Sequence, residues 1–311
     1  MGNLPNESVK TLPGRGVFIW KLWDLPTFEG DGAVEFSLSP ENGEETPYSS
    51  LSLDSLVERV DSMGFDWVAI KLGDGDSFWL REGAAIPTWL SSQGVSFEDL
   101  IERFHERSIK VLGWHYIYGH PNWETGNSES WCAGEIIKSG VDGYIADGEI
   151  ELEMMIHPNL YVRSFFTDIE PAAAESDILV AYTTLSECWR HIRFPYSEFA
   201  RHCDIFMPQT YWVDRNTDCD TFLDPTTEVE TFIRYLEVHR KFGQKFTKAD
   251  FLSDGVDLDH IVPIGSVESE LCETENGRGI QATPEELQEF EELCERYFGG
   301  EGVWAMDWIM E

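Results

Sequence analysis

Residues 141–153 read VDGYIADGEIELE. An apolar run through Tyr144, Ile145 and Ala146 leads directly into acids at Asp147, Glu149, Glu151 and Glu153. A buried strand that ends in carboxylates has two readings. It is one more acidic patch on a very acidic chain, or it delivers a catalytic pair into a cleft. The apolar run favours the second, because a buried strand feeding straight into acids sets them at the mouth of the layer it belongs to.

Outward from this stretch, apolar or β-branched runs alternate with amphipathic ones. Upstream, residues 16–23 (GVFIWKLW), 66–75 (DWVAIKLGDG) and 109–119 (IKVLGWHYIYG) predict strands. Residues 53–65 carry Leu56, Val57, Val60 and Met63 at helical spacing, and helices are also expected over 97–108 and 129–140, the last stopped by a glycine. Downstream strands are expected over 178–186, 204–212, 261–267 and 302–308. Helices follow over 158–170, opened by Pro158, over 194–203, over 228–243, and over 283–299 behind Thr283 and Pro284. Eight strands alternating with seven or eight helices is the count of a single (β/α)₈ TIM barrel. An open doubly wound sheet is the alternative, but no GxGxxG or GxxxxGK[ST] follows any strand. The barrel is expected over 15–311, behind a flexible lead-in of 1–14, with a long loop at about 24–50 after the first strand placed over the mouth.

The charge balance narrows the partners. There are 58 acids against 22 bases, a net charge of −36, and only eight of the bases are lysine. Such a surface repels nucleic acid and anionic membranes. It also repels itself until salt screens it, with a screening length of about 3 Å at 1 M. A high-salt environment is therefore expected, as is poor homo-oligomerisation at low salt. No run of about 18 apolar residues predicts membrane insertion. The start, MGNLPNESVK, lacks a basic segment followed by an apolar one, so no secretory signal is expected. The protein is then cytoplasmic, released by lysis or carried in a virion. The six cysteines form no CxxC or zinc spacing and read as buried thiols, with cross-linking left open. No cofactor or metal is expected. The stretch DRNTDCD at 214–220 lacks the spacing and closing Glu of a calcium loop, and His115, His120 and His157 form no HxH pair.

In such barrels the chemistry sits at the C-terminal ends of the strands. In chain order these ends offer Trp20 and Lys21, with Asp24 beyond; Lys71, Asp74 and Asp76; Trp114, His115, Tyr116 and Tyr118; Asp147, Glu149 and Glu151; Tyr182 and Thr184; Gln209, Tyr211 and Trp212; then Trp304, Asp307 and Trp308. Aromatic rings stack on the C–H faces of sugars, while carboxylates and amides take the hydroxyls. A phosphorylated substrate would want arginines or a glycine cradle, and neither is present. The substrate-binding candidates are Trp20, Lys71, Trp114, His115, Tyr116, Gln209, Tyr211, Trp304 and Asp307. Asp147 and Glu149 are two apart and share a strand face. Glycosidic cleavage needs one protonated carboxyl and one carboxylate, and crowding two acids raises the pKa of one. Glu149 is assigned as general acid and Asp147 as its electrostatic partner. Plainer readings stand beside these: a solvated acidic strand end, a satisfied core histidine at His115, and an ion pair of Lys71 with Asp147 or Asp74.

The stretch GVDGYIADGE (140–149) resembles the fourth strand of the lysozyme-like barrels of glycoside hydrolase family 25 and related glycoside hydrolase barrels, which carry an Asp-x-Glu pair there. Residues 194–212, FPYSEFARHCDIFMPQTYW, resemble the segment leading into the sixth strand of the same barrels. The resemblance implies hydrolysis of a β-1,4 bond in a peptidoglycan-like glycan, with Glu149 as acid beside Asp147. Those muramidases also place an Asp at the end of the first strand, where this chain reads FIWKLW. Two functions follow from that departure: cleavage of another cell-wall or cell-surface polysaccharide, or sugar binding without cleavage, as in a structural barrel of a larger viral tail assembly. A metal-dependent hydrolase is a third and less supported class.

Overall fold

The eight apolar runs form parallel strands: β1 (Arg15–Ile19), β2 (Trp67–Asp74), β3 (Lys110–Ile117), β4 (Gly143–Gly148), β5 (Leu179–Leu185), β6 (Ile205–Gln209), β7 (Ile264–Ser266) and β8 (Trp304–Asp307). Each pairs with the next in sequence, and β1 pairs with both β2 and β8, so the sheet closes into a barrel. This computed structural model describes residues 10, 12, 14–25, 27, 32–38, 46–119, 128–188, 190–212, 224–242, 261–266, 268–273, 279–298 and 304–307, with backbone alone at 46, 235–242, 266, 268–273, 279–281, 298 and 304–307.

β1 to β6 read as continuous apolar runs because both of their faces are buried. Inward, Phe18, Trp67, Ala69, Leu112, Ile145, Ala181, Met207 and Ile264 fill the barrel. Outward, Val17, Val68, Ile70, Val111, Tyr144, Val180 and Phe206 pack beneath the helices. Withdrawing each large side chain from water contributes about 1.5–3 kcal/mol. Gly16 is required by this packing, since a Cβ there would overlap the Trp67 ring. The helices are α1 (Leu53–Ser62), α2 (Ala85–Ser92), α3 (Phe97–His105), α4 (Glu129–Lys138), α5 (Ile150–Met154), α6 (Pro158–Ser176), α7 (Tyr196–Phe199), α8 (Pro225–Phe242) and α9 (Pro284–Phe298). Ser96 and Asp99 form a capping box on α3, and Thr283 and Glu286 exchange the same bonds on α9. Among the described residues no helix is long and apolar enough to cross a membrane.

Three departures from the sequence reading matter for the mouth. The long loop after β1 contains an antiparallel hairpin, Ala33–Leu38 with Thr46–Leu51, in which Phe36 stacks on Tyr48 at 5.5 Å and which packs on α2. The expected helices did not include α2, where Pro87 falls in the first turn and breaks the periodic pattern without breaking the helix. Finally, β4 stops at Gly148 instead of running on to Glu153. A turn of helix, α5, takes over, and it lets Leu152 bury against Gly148 and Phe199.

Candidate active site

Asp147 is the last inward-facing residue of β4 and is buried. Glu149 follows with extended backbone (φ −124°, ψ −144°), so the alternation of side chains carries one step past the strand and both acids reach the mouth. They meet Gln209 at the end of β6. Its Nε2 donates to Glu149 Oε1 at 2.9 Å and to Asp147 Oδ1 at 3.4 Å. One neutral amide thus ties both carboxylates.

A third carboxylate stands nearby. Glu151, in the first turn of α5, accepts from the Tyr116 hydroxyl at 2.8 Å. Tyr116 lies beside Asp147 in the β3–β4 register. Burial holds the Glu149 carboxyl above the usual range and the negative charge of Glu151 adds to this, while the Gln209 bond, His191 and Lys71 oppose it. Glu149 therefore keeps its proton to a higher pH than an ordinary glutamate, the property a general acid requires. Burial and the surrounding carboxylates push the Tyr116 hydroxyl far upward, so it remains a donor. His191, from the loop after β5, holds Glu153 at 2.7 Å.

The far side of the mouth is cationic and aromatic. Lys71 is buried on β2, and its Nζ pairs with Asp74 Oδ2 at 2.7 Å. Of the two partners the sequence left open, the structure selects Asp74, whose other oxygen accepts from Tyr118 at 2.8 Å. The ammonium lies 4.9 Å from the Trp114 ring centre, 5.1 Å from Trp79, 5.5 Å from Trp20 and 5.7 Å from Tyr116. Trp114 is fixed by a bond from its indole to Ile19 O at 3.2 Å. Trp20, Tyr116 and Tyr211 are half-buried against the inward core, so Trp20, Lys71, Trp114, Tyr116, Gln209 and Tyr211 converge on one cup with the two acids.

Other candidates lie elsewhere. His115 faces the helices, fully buried, with its ring nitrogens at Tyr144 Oη (3.0 Å) and Gly75 O (2.6 Å). Burial lowers its pKa to about 4, so it is a neutral core histidine. Tyr182 and Trp212 also face outward, stacked on Phe199 and packed on Phe290. On β5 the residue that shares the inward face with Asp147 is Thr183, and its buried hydroxyl has no hydrogen-bond partner among the described residues. Trp304 and Asp307 lie on β8, registered with Arg15 and Phe18; their side chains, Trp308, His120 and the 214–220 stretch lie outside the described residues. Cys132, Cys188 and Cys294 are buried free thiols, and Cys203 is a partly buried one. Thr183 was open to an alternation count from the apolar Ala181. The roles of Glu151 and His191 depend on α5 and a loop, which period-two counting does not reach.

Compared by sequence, the chain matches no known family and no curated protein. Compared by structure, it is similar to the PgaB (BpsB) glycoside hydrolase domain from Bordetella bronchiseptica, with a TM-score of 0.53 and 9% identity over 95% of this chain and 94% of that one. It is also similar to the endo-β-1,4-glucanase Xac0029 from Xanthomonas axonopodis pv. citri, with a TM-score of 0.50 and 11% identity over 96% of this chain and 88% of the other. At such identities the likeness is one of fold, and the fold is the (β/α)₈ barrel that these glycoside hydrolases use.

Proposed function

We propose that the chain is a glycoside hydrolase-like barrel that cleaves a cell-wall or cell-surface glycan. The observation that carries this reading is the Gln209 amide binding Asp147 and Glu149 together inside an aromatic cup. A sugar ring stacks on Trp20, Trp114 or Tyr211. Glu149, protonated, donates to the glycosidic oxygen, and Asp147, ionised and held by Gln209, stabilises the positive charge that develops on the sugar. The bond to the leaving oxygen breaks as it takes the proton, and a water entering from the open side of the cup then adds to the sugar carbon and returns its proton to the now ionised Glu149. Within this class a lysozyme-like preference for peptidoglycan-like β-1,4 bonds is the finer proposal, supported by the Asp-x-Glu stretch at 147–149. The charge of −36 supports work at high salt, so the melting temperature is expected to rise with added NaCl.

One observation favours a second reading, sugar binding without cleavage by a barrel in a larger assembly: the end of β1 carries Trp20 and Lys21 where the muramidases carry an acid. Release of reducing ends from purified wall and surface polysaccharides separates the two. Release by the wild-type chain, lost in Glu149→Gln with binding retained, supports cleavage. Binding without release from any of them overturns it in favour of the second reading.

A further inference from the structure

Five of the seven large apolar side chains exposed among the described residues gather on one flank of the mouth: Ile150, Met154, Ile156, Leu160 and Ile192. Ile156 is 85% exposed and Met154 75%. Scattered exposed apolar residues are ordinary, but a contiguous ledge marks a binding surface. The ledge borders an open cleft of about 420 Å³ lined in part by Ile156, Leu160, Arg163 and Arg193. Arg193 donates to Met155 O at 2.9 Å, which ties the Ile192 loop to the end of α5.

The charged side chains lining the cleft are of the opposite sign to the chain, although Glu151 and Glu153 stand on the neighbouring α5. No acid lines the cleft among the described residues. Arg193 forms no ion pair among the described residues, in a chain with 58 acids. Arg163 contributes a second guanidinium, although it also holds Glu198. A guanidinium matches a carboxylate in shape as well as charge. Every apolar residue of the ledge is aliphatic, whereas the rings suited to sugars lie in the cup.

We infer that this cleft docks an acidic peptide segment bearing aliphatic side chains. Because α5 begins at the residue after Glu149, a glycan attached to such a segment would hang over the acid pair. That extension rests on the glycan-cleaving reading, while the docking itself does not.

The test is fluorescence anisotropy with a labelled octapeptide of alternating Glu and Leu, titrated with the full chain carrying Glu149→Gln. Saturable binding is expected, at least tenfold weaker for the Lys/Leu and Glu/Ser counterparts and at least tenfold weaker after Arg193→Gln or Ile156→Ser. No saturable binding, equal binding of the Lys/Leu peptide, or indifference to Arg193→Gln overturns the inference. Displacement of the peptide by oligogalacturonate at lower concentration than by unlabelled peptide overturns it in favour of an acidic glycan. A concentration-dependent dimer in sedimentation, lost in Ile156→Ser, overturns it in favour of a second copy of the chain. Peptide binding is read without catalysis, so its failure leaves the glycan-cleaving reading standing, and the failure of cleavage leaves the docking standing.

Discussion

Glu149 and Glu198 are both withdrawn from water, and their carboxyls are driven in opposite directions. Glu198 is buried and accepts from Arg163 at 2.8 and 3.2 Å and from Arg201 at 2.7 Å. The Arg163 bonds hold its pKa below the ordinary range. Glu149 has a neutral amide as its hydrogen-bond donor and a carboxylate, Glu151, as its neighbour, and burial takes its pKa up. Burial alone therefore does not decide what an acid does. The charge on its donors does: two guanidinium groups make a strut, and one amide leaves a group that can give up a proton to a substrate.

The largest effect that would break this contrast is on rate. Glu149→Gln should lower kcat for glycan cleavage by about 10²–10⁴-fold, measured by reducing-end release, while Glu198→Gln should leave kcat per folded molecule unchanged. On stability the two substitutions should have opposite signs. Glu198 has a depressed folded pKa, so its stabilisation is present above the unfolded value and is lost as pH falls through the folded one. Glu198→Gln should then cost roughly 1–2 kcal/mol at pH 7, discounted for the exposure of both arginines, in urea titrations, and much less at pH 3. Glu149 has a raised folded pKa, so the folded state is favoured below the unfolded value and that advantage is lost as pH rises through the folded one. Glu149→Gln should therefore be neutral or stabilising at pH 7. A loss of stability equal to that of Glu198→Gln would erase the distinction.

Two smaller effects sharpen it. A general acid works protonated, so the rate falls as pH rises through its pKa. Gln209→Leu removes the bond that favours ionised Glu149. It should move the alkaline limb of the kcat profile to higher pH and lower the maximal rate by about tenfold, from lost positioning. Glu151→Gln removes the neighbouring negative charge and should move the same limb to lower pH with little change in maximal rate. Shifts in the same direction would show that Glu151 does not act on Glu149 through its charge.

The barrel was legible because β1 to β6 are apolar on both faces, a pattern that survives in the one-dimensional text from Val17 to Met207. Asp147 and Glu149 were legible for a related reason, since extended backbone continues through Glu149. What failed was facing. His115 sits among aromatic strand-end residues in the sequence yet points at the helices, because alternation along β3 turns Trp114 and Tyr116 inward and the residue between them outward. Thr183, not Tyr182 or Thr184, shares the inward face beside Asp147. The partner of Lys71 was undecidable, because Asp74 and Asp147 are alike in type and the irregularity in β2 between Lys71 and Gly73, with Asp74 at 2.7 Å beyond it, has no signal in the period. The aliphatic ledge escaped because its five residues lie on a short helix, a helix start and two separate loops, which share no period.

The Gln209 bridge has a consequence for ligand design. An amide carries no formal charge, so the bridge holds the two acids in place without adding a positive charge of its own. A sugar mimic with a protonated ring nitrogen, an iminosugar, adds a positive charge beside the two acids and should be held there more tightly than the uncharged sugar of the same shape.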